Sequence, residues 1–219
     1  MSIRTIYDTL RAAGLTRAGA LGVMGNMMAE SGMKANIAQR GMTKLSDEQY
    51  TAAADNGLID FARDQVGYGL YQLTYHTRKA AYLAFCKARG CSVGNEQAQV
   101  DFCIKELKED YPQLYKTLCT SNDINQCSDL VCSQFERPAI NNFDARRAYA
   151  HQFEAEIPDT PYQAPKEDPV SATFPPDPSV WAIQLVMQFN GFWDRPVDGH
   201  KSKEFFSALR EFTNAMELC

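Results

Sequence analysis

The sequence predicts a mainly α-helical protein: a large helical domain, then a Pro-rich linker, then a small three-helix module. Apolar side chains recur every three or four residues through most of residues 1–153, the spacing of helices with one buried face. Seven of the ten prolines lie in residues 154–179, a composition typical of a semi-rigid extended tether. Residues 180–219 carry a dense set of aromatic and aliphatic side chains. The chain therefore divides into 1–153, 154–179 and 180–219.

The overall composition is that of an ordinary globular protein. Of the 219 residues, 45% are hydrophobic and 22% charged, and the net charge is −5. This charge argues against nucleic acid as a partner, because neutralising phosphates requires clustered Lys and Arg. No apolar run is long enough to span a membrane, and the N-terminus lacks the apolar segment of a signal peptide. We expect synthesis in a cytoplasm, no membrane insertion and a monomer.

Hydrophobic periodicity places most of the helices of the large domain. Helices are predicted, in chain order, at residues 3–14, 17–30, 47–55, 77–89, 96–109, 113–118, 123–135 and 143–153. The inward side chains predicted for the helix at 77–89 are Ala80, Ala81, Leu83 and Ala84. Residues 33–59 otherwise show poor periodicity, and we expect little regular β structure there. A loop of this length in a compact domain is more often functional than not.

The helix predicted at 17–30 is the centre of the large domain. Thr16 is a suitable N-cap, and Gly32 is placed to end the helix. Gly22 and Gly25 each lower helix propensity by about 1 kcal/mol relative to Ala, so their presence indicates that another backbone packs closely. Glu30 stands at the C-terminal end of this apolar helix. The helix dipole and an apolar environment both favour the protonated carboxyl there, which suits a general acid.

Two stretches of the chain carry a resemblance to known families. Glu30-Ser31, followed later by residues 69–72 (GLYQ), resembles the Glu-Ser and Gly-Leu-Met-Gln pairing of goose-type lysozymes and lytic transglycosylases. Four ordered blocks resemble the phage tail lysozyme family found in many phage endolysins: 25–32 (GNMMAESG), 53–57 (AADNG), 64–79 (DQVGYGLYQLTYHTRK) and 135–138 (FERP). The likeness covers roughly residues 2–153. It implies a lysozyme-like fold and cleavage of the β-1,4 bonds of bacterial peptidoglycan.

The resemblance also implies which residues form the site. Glu30 would be the general acid, and the substrate would be contacted by Ser31, Tyr68, Gly69, Tyr71, Gln72 and Thr74. Tyr68, Tyr71 and Tyr75 have rings that could stack on sugars, although Tyr is more often a core residue. Goose-type lysozymes carry an acid two residues after the Gln, where this chain has Thr74.

The second carboxylate is less well defined by the sequence. Asp64 precedes Gly67-Tyr68-Gly69 as a cleft Asp precedes the corresponding glycine in goose-type lysozymes, so the resemblance favours it; Asp55 and Asp60 are alternatives. A hydrolase needs such a group as base or nucleophile. Without one, Glu30 could act alone and close a 1,6-anhydro ring, as lytic transglycosylases do.

No metal site or cofactor is predicted. His76, His151 and His200 lie far apart and lack metal-ligand spacing. The seven Cys are odd in number and form no CxxC pair. We interpret most of them as small buried hydrophobes; the alternative is that a disulfide forms after the protein has left the cytoplasm. Cys86 with His151 is the only pairing of interest for a cysteine peptidase, and a weak one.

Residues 180–219 resemble a small peptidoglycan-binding domain. Helix, Gly turn, Val-Asp-Gly loop (197–199) and helix follow that family's order, but residues 201–203 (KSK) replace its usual Gly-x-x-Thr. The alternative is a helical hairpin docked on the large domain. The whole chain is therefore interpreted as a phage endolysin that waits in the host cytoplasm until a membrane pore opens. A non-catalytic wall-binding or tail-structural protein is the alternative.

Overall fold

A computed structural model describes residues 3–158, and this part of the chain is mainly α-helical, as predicted. Eight α-helices and one π-helical turn lie within it. They are α1 Ile3–Ala12, α2 Arg17–Ser31, α3 Asp47–Asp55, α4 His76–Arg89, α5 Glu96–Glu109, α6 Pro112–Thr120, α7 Ile124–Leu130, the π-turn Val131–Glu136 and α8 Phe143–Glu156. Most of the predicted linker and all of residues 180–219 lie outside the described residues. The domain boundaries therefore stay a prediction.

Helix α2 is the centre of the fold, as the sequence indicates. Every side chain from Ala18 to Met27 is buried, and α2 packs against α1, α6, α7, α8 and the π-turn. The Thr16 hydroxyl accepts a hydrogen bond from the Gly19 amide at 2.9 Å, which confirms the predicted N-cap. Gly32 ends the helix in the left-handed conformation with φ 61°, which confirms the predicted C-terminal stop.

The glycines of α2 allow two neighbouring helices to approach its backbone. A Cβ added to Gly22 would lie 2.8 Å from the Cβ of Cys127 in α7. A Cβ added to Gly25 would lie 2.6 Å from the carbonyl oxygen of Arg146 in α8. The predicted close packing is confirmed, and it brings Arg146 beside the C-terminal half of α2.

The predicted inward face of α4 is wrong. The four residues predicted to be inward are exposed or only partly buried: Ala80, Ala81, Leu83 and Ala84. Lys79, Tyr82 and Cys86 are the buried ones. The misassignment follows from Lys79, which any hydrophobicity pattern places outside. Its ammonium group is compensated in the interior by Asp64, at 2.5 Å from Nζ, and by the Val66 carbonyl, at 2.7 Å.

The segment between α2 and α4 contains little β structure, as expected. Within the described residues its pairing is limited to isolated bridges, Ala38 with Tyr68 and Tyr68 with Leu73. The amide of Gln39 donates to the Gly67 carbonyl, and the amide of Gly69 donates to the Ile37 carbonyl, at 2.7 and 2.9 Å. Residues 37–39 and 67–69 therefore form one wall beside the end of α2.

Six cysteines lie in the described part of the chain, and all six are free thiols. Cys86, Cys103, Cys127 and Cys132 are buried, as expected for small hydrophobes, whereas Cys119 is only partly buried. Burial raises the pKa of Cys86 to about 12, so this thiol is a poor nucleophile at neutral pH. A membrane-spanning helix would need a longer apolar stretch than any helix between residues 3 and 158 provides.

Candidate active site

A polar cleft of about 630 Å³ opens at the C-terminal end of α2. Its lining comes from four parts of the chain: Glu30, residues 37–40, several residues between 71 and 78, and residues 136–139. The end of α2 and the end of the π-turn therefore face the same space, with the loop around residue 39 and the start of α4 between them. A volume of this size is in the range of small-ligand sites and can hold sugar rings.

Glu30 lies in this cleft with 19% of its side chain exposed. Its Oε1 accepts a hydrogen bond from Nη2 of Arg146 at 2.5 Å. Arg146 is buried and also donates from Nη1 to Oδ1 of Asn26 at 2.8 Å, one turn before Glu30 on α2. The sequence indicated a helix end and an apolar environment, both of which favour the protonated carboxyl. The structure places a buried cation, Arg146, directly against the carboxylate.

Ser31 and Gly69 join the two parts of the predicted motif. The Ser31 hydroxyl oxygen lies 2.9 Å from the carbonyl oxygens of both Met27 and Leu70, and its one proton is shared between these two acceptors. The end of α2 is thereby connected to the loop at 69–72. Gly69 has φ 78°, and an added Cβ would lie 2.4 Å from Oε1 of Gln99. Both residues are buried, so their contacts indicate that they hold the cleft wall in position.

The other predicted substrate contacts divide into two groups. Tyr71, Gln72 and Thr74 line the cleft, with the Gln72 backbone in the left-handed region at φ 45°. Tyr68 is 1% exposed, and its hydroxyl lies 2.6 Å from that of Thr51, so it is a core residue. Tyr75 lines the cleft and is 68% exposed, which makes it the best placed of the three predicted tyrosines to stack on a sugar.

The structure does not bring Asp64 into the lining of this cleft. Its Oδ1 accepts from Nζ of Lys79 at 2.5 Å and from the Val66 amide at 3.1 Å, and its Oδ2 accepts from the Tyr50 hydroxyl at 2.5 Å. These contacts favour a structural role. The assignment of Asp64 as second carboxylate stays a prediction, and the alternatives lie outside the lining too: Asp55 accepts from the Val93 amide, and Asp60 is exposed.

Glu136 is a cleft carboxyl to which the sequence analysis assigned no role. It ends the π-turn, lines the cleft with Glu30 and is half-buried. Burial raises its pKa well above the usual range, and the charge of Glu30 adds to the effect. The signal that could have found it is the block at 135–138 (FERP), one of the four that carry the resemblance.

A second depression of about 650 Å³ adjoins the cleft. The two share Gln39, Thr74 and Tyr75, and the second extends to Met42 and Arg63. The cleft and this second depression are together called the groove, and the exposed Tyr75 lines both of its parts. Within residues 3–158, no group of three His, Cys, Asp or Glu side chains is arranged to hold a metal ion.

A helical domain whose central helix ends in a carboxylate at a polar cleft is the arrangement that the sequence predicted for a lysozyme-like protein. The sequence profile of the phage tail lysozyme family matches residues 2–156, more than half of the chain, and the protein belongs to this family. Membership implies a lysozyme-like, peptidoglycan-degrading activity, with bacterial peptidoglycan as the substrate. No curated protein sequence matches the chain.

The family match does not reach residues 180–219, where a peptidoglycan-binding module was predicted. These residues also lie outside the described part of the chain. The wall-binding module and its alternative, a docked helical hairpin, both stay predictions.

Proposed function

We propose that this protein is a phage endolysin that hydrolyses the β-1,4 glycosidic bonds of peptidoglycan, with Glu30 as the general acid. The observation that carries the proposal is the position of Glu30. Its partly exposed carboxyl group faces a cleft of about 630 Å³ in a domain of the phage tail lysozyme family. A surface carboxyl with no cleft beside it would lack neighbouring groups to hold a glycosidic oxygen within reach of its proton.

In the proposed reaction the protonated Glu30 donates to the oxygen of the leaving sugar. The bond between that oxygen and C1 breaks, its electron pair goes to the oxygen, and C1 acquires oxocarbenium-ion character. Water then adds to C1 and loses a proton to a carboxylate. Arg146, which also donates to Asn26, positions Glu30 from the buried side, while residues 71–75 hold the sugar on the open side.

The alternative chemistry is a lytic transglycosylase reaction. No aspartate predicted as second carboxylate lines the cleft, which is the observation that favours considering it. Glu30 would then protonate the leaving oxygen as the C1–O bond breaks, and the substrate's own 6-hydroxyl would attack C1 and lose its proton to the Glu30 carboxylate. Mass spectrometry of digested peptidoglycan distinguishes the two, because hydrolysis leaves reducing ends and the transglycosylase leaves 1,6-anhydro ends.

The first test is the substitution Glu30→Gln, which preserves shape and removes the acidic proton. We expect clearing of purified peptidoglycan to fall by about 10²- to 10⁴-fold, the usual contribution of a general acid. Glu109→Gln on the exposed end of α5 is the matched control and should clear as fast as the unmodified protein. Equal clearing by the Glu30 variant would contradict the assignment and favour the non-catalytic alternative. The location of the protein before lysis stays a prediction.

A further inference from the structure

We propose that two arginines of the groove, Arg40 in the cleft and Arg63 in the second depression, bind carboxylates of the peptide stems of peptidoglycan. They are called the arginine pair below. The inference rests on the proposed function and deepens it, because it makes the anionic, stem-bearing glycan the preferred substrate. Neither the resemblance nor the family match assigns a role to either residue.

The arginine pair differs from the other arginines of the described chain in having no protein partner. Every other arginine between residues 3 and 158 donates from its side chain to a carboxylate or carbonyl oxygen, as Arg78 does to Glu106. Within the same residues, the guanidinium groups of Arg40 and Arg63 form no hydrogen bond or ion pair, and both residues are exposed. A guanidinium carries five N–H donors. The arginines whose donors are unused are thus the two that line the groove.

The backbone that carries the arginine pair is held by neighbouring contacts. Gln39, directly before Arg40, donates its amide to the Gly67 carbonyl at 2.7 Å, and its side chain accepts from the Gly67 amide at 3.1 Å. Arg63 directly precedes Asp64, whose carboxylate is paired with a buried ammonium group of α4. A group presented from a fixed backbone loses less conformational freedom on binding a ligand, so more of its interaction energy remains as affinity.

The charge of the second depression favours an anion. Its lining within residues 3–158 contains Arg63 and no Asp or Glu side chain. Gln39 and Gln65 also line it, and their side-chain amides are further hydrogen-bond donors. The whole chain has a net charge of −5, so this cationic lining is a local feature and does not follow from a generally basic surface.

Carboxylates are the anionic groups that peptidoglycan carries close to its glycosidic bonds. Every second sugar bears a short peptide, whose free carboxylates distinguish peptidoglycan from an uncharged glycan such as chitin. A carboxylate can accept two parallel N–H bonds from one guanidinium, which adds direction to the charge attraction. Because Arg40 and Glu30 line the same cleft, a stem on a sugar bound there begins close to Arg40. Phosphate-containing wall polymers offer a similar charge, but they are attached to few of the sugars.

The test compares soluble peptidoglycan fragments with the same fragments after their carboxyl groups have been converted to amides. Both are prepared from walls freed of phosphate polymers. We expect Arg40→Gln and Arg63→Gln each to raise KM for the native fragments about two- to fivefold with little change in kcat, the range of an exposed ion pair. The increase should shrink at high salt. On the amidated fragments the variants and the unmodified protein should have the same KM.

Lys116→Gln is the matched control, because it removes one exposed positive charge of α6 outside the groove. It should keep the normal KM for both kinds of fragment. Arg40→Lys and Arg63→Lys retain the charge and should recover most of the affinity. The proposal is overturned if the Gln variants are equally impaired on amidated fragments, or if Lys116→Gln has the same effect. An impairment that occurs only on walls retaining phosphate polymers would assign the pair to phosphate and overturn the stem assignment.

Glu30→Gln separates this inference from its premise. That variant should lose kcat on native and amidated fragments alike, and if it stays active the proposed function fails. An inactive Glu30→Gln together with a normal KM in both arginine variants overturns only the role of the arginine pair. Dissociation constants of the same fragments, measured by calorimetry on the full chain, should show the same ratios as KM. They do not depend on cleavage, so they decide the inference even if the protein is not an enzyme.

Discussion

Glu30 and Asp64 are both paired with a cation at 2.5 Å, and both side chains are about one-fifth exposed, yet their surroundings differ. Asp64 accepts three hydrogen bonds, from Lys79, Tyr50 and Val66, and lines neither part of the groove. The hydrogen bond that the structure describes for Glu30 comes from Arg146, and Glu30 lines the cleft. An ion pair alone therefore does not distinguish a catalytic carboxylate from an anchoring one. The two carboxylates differ instead in their access to a ligand-sized space and in how many of their hydrogen-bond acceptor positions are unused.

The largest expected effect on stability comes from breaking the Asp64 pair. Asp64→Asn leaves the fully buried Lys79 ammonium without its carboxylate, which should lower the free energy of unfolding by about 3–5 kcal/mol. Urea denaturation measures the loss, with Asp60→Asn on the exposed surface as the control.

The activity of Asp64→Asn tests the same contrast between Asp64 and Glu30. If Asp64 is an anchor, the folded fraction of Asp64→Asn should clear peptidoglycan at nearly the normal rate, measured at a temperature where the variant is folded. Glu30→Gln should lose its activity even where it is folded; because it too leaves a buried cation, Arg146, without its carboxylate, its clearing is measured under the same conditions. A folded, inactive Asp64→Asn would instead support Asp64 as the second carboxylate.

A second substitution tests the packing that places Arg146 beside Glu30. Gly25→Ala adds a Cβ that would lie 2.6 Å from the Arg146 carbonyl oxygen and 2.9 Å from the Cβ of Ala150, so α8 must move. Overpacking of this kind costs about 1–3 kcal/mol. Glycine-to-alanine in a helix otherwise gains about 1 kcal/mol of propensity, so a net loss in thermal unfolding can be assigned to packing. A more stable variant with normal activity would contradict the close approach.

The main features of the fold were readable from the sequence because they depend on local rules. The Thr16 cap, the Gly32 stop and the limits of the helices at 47–55 and 96–109 follow from side-chain chemistry and periodicity over a few residues. The close-packing role of Gly22 and Gly25 was also readable, because glycine in the middle of a buried helix needs a reason.

Features that depend on residues distant in the sequence could not be predicted from it. The inward face of α4 was misassigned because Lys79 is buried only by virtue of Asp64, fifteen residues earlier. Arg146, 116 residues after Glu30, gave no local sign that it would bind the candidate acid. Glu136 depends on a π-turn, for which a helical periodicity of 3.6 residues has no signature.

The smallest predicted effect concerns Tyr75, at the junction of the cleft and the second depression. The residue is 68% exposed, so removing its ring should leave stability almost unchanged while weakening contact with the glycan. An aromatic contact is worth about 1 kcal/mol, so Tyr75→Ala should raise KM for soluble glycan fragments about fivefold with little change in kcat. Tyr75→Phe keeps the ring and should retain normal KM, because stacking needs the face and not the hydroxyl. A loss shared equally by both variants would assign the effect to the hydroxyl group. An effect on kcat alone would place Tyr75 with Glu30 in the chemical step rather than in binding along the groove.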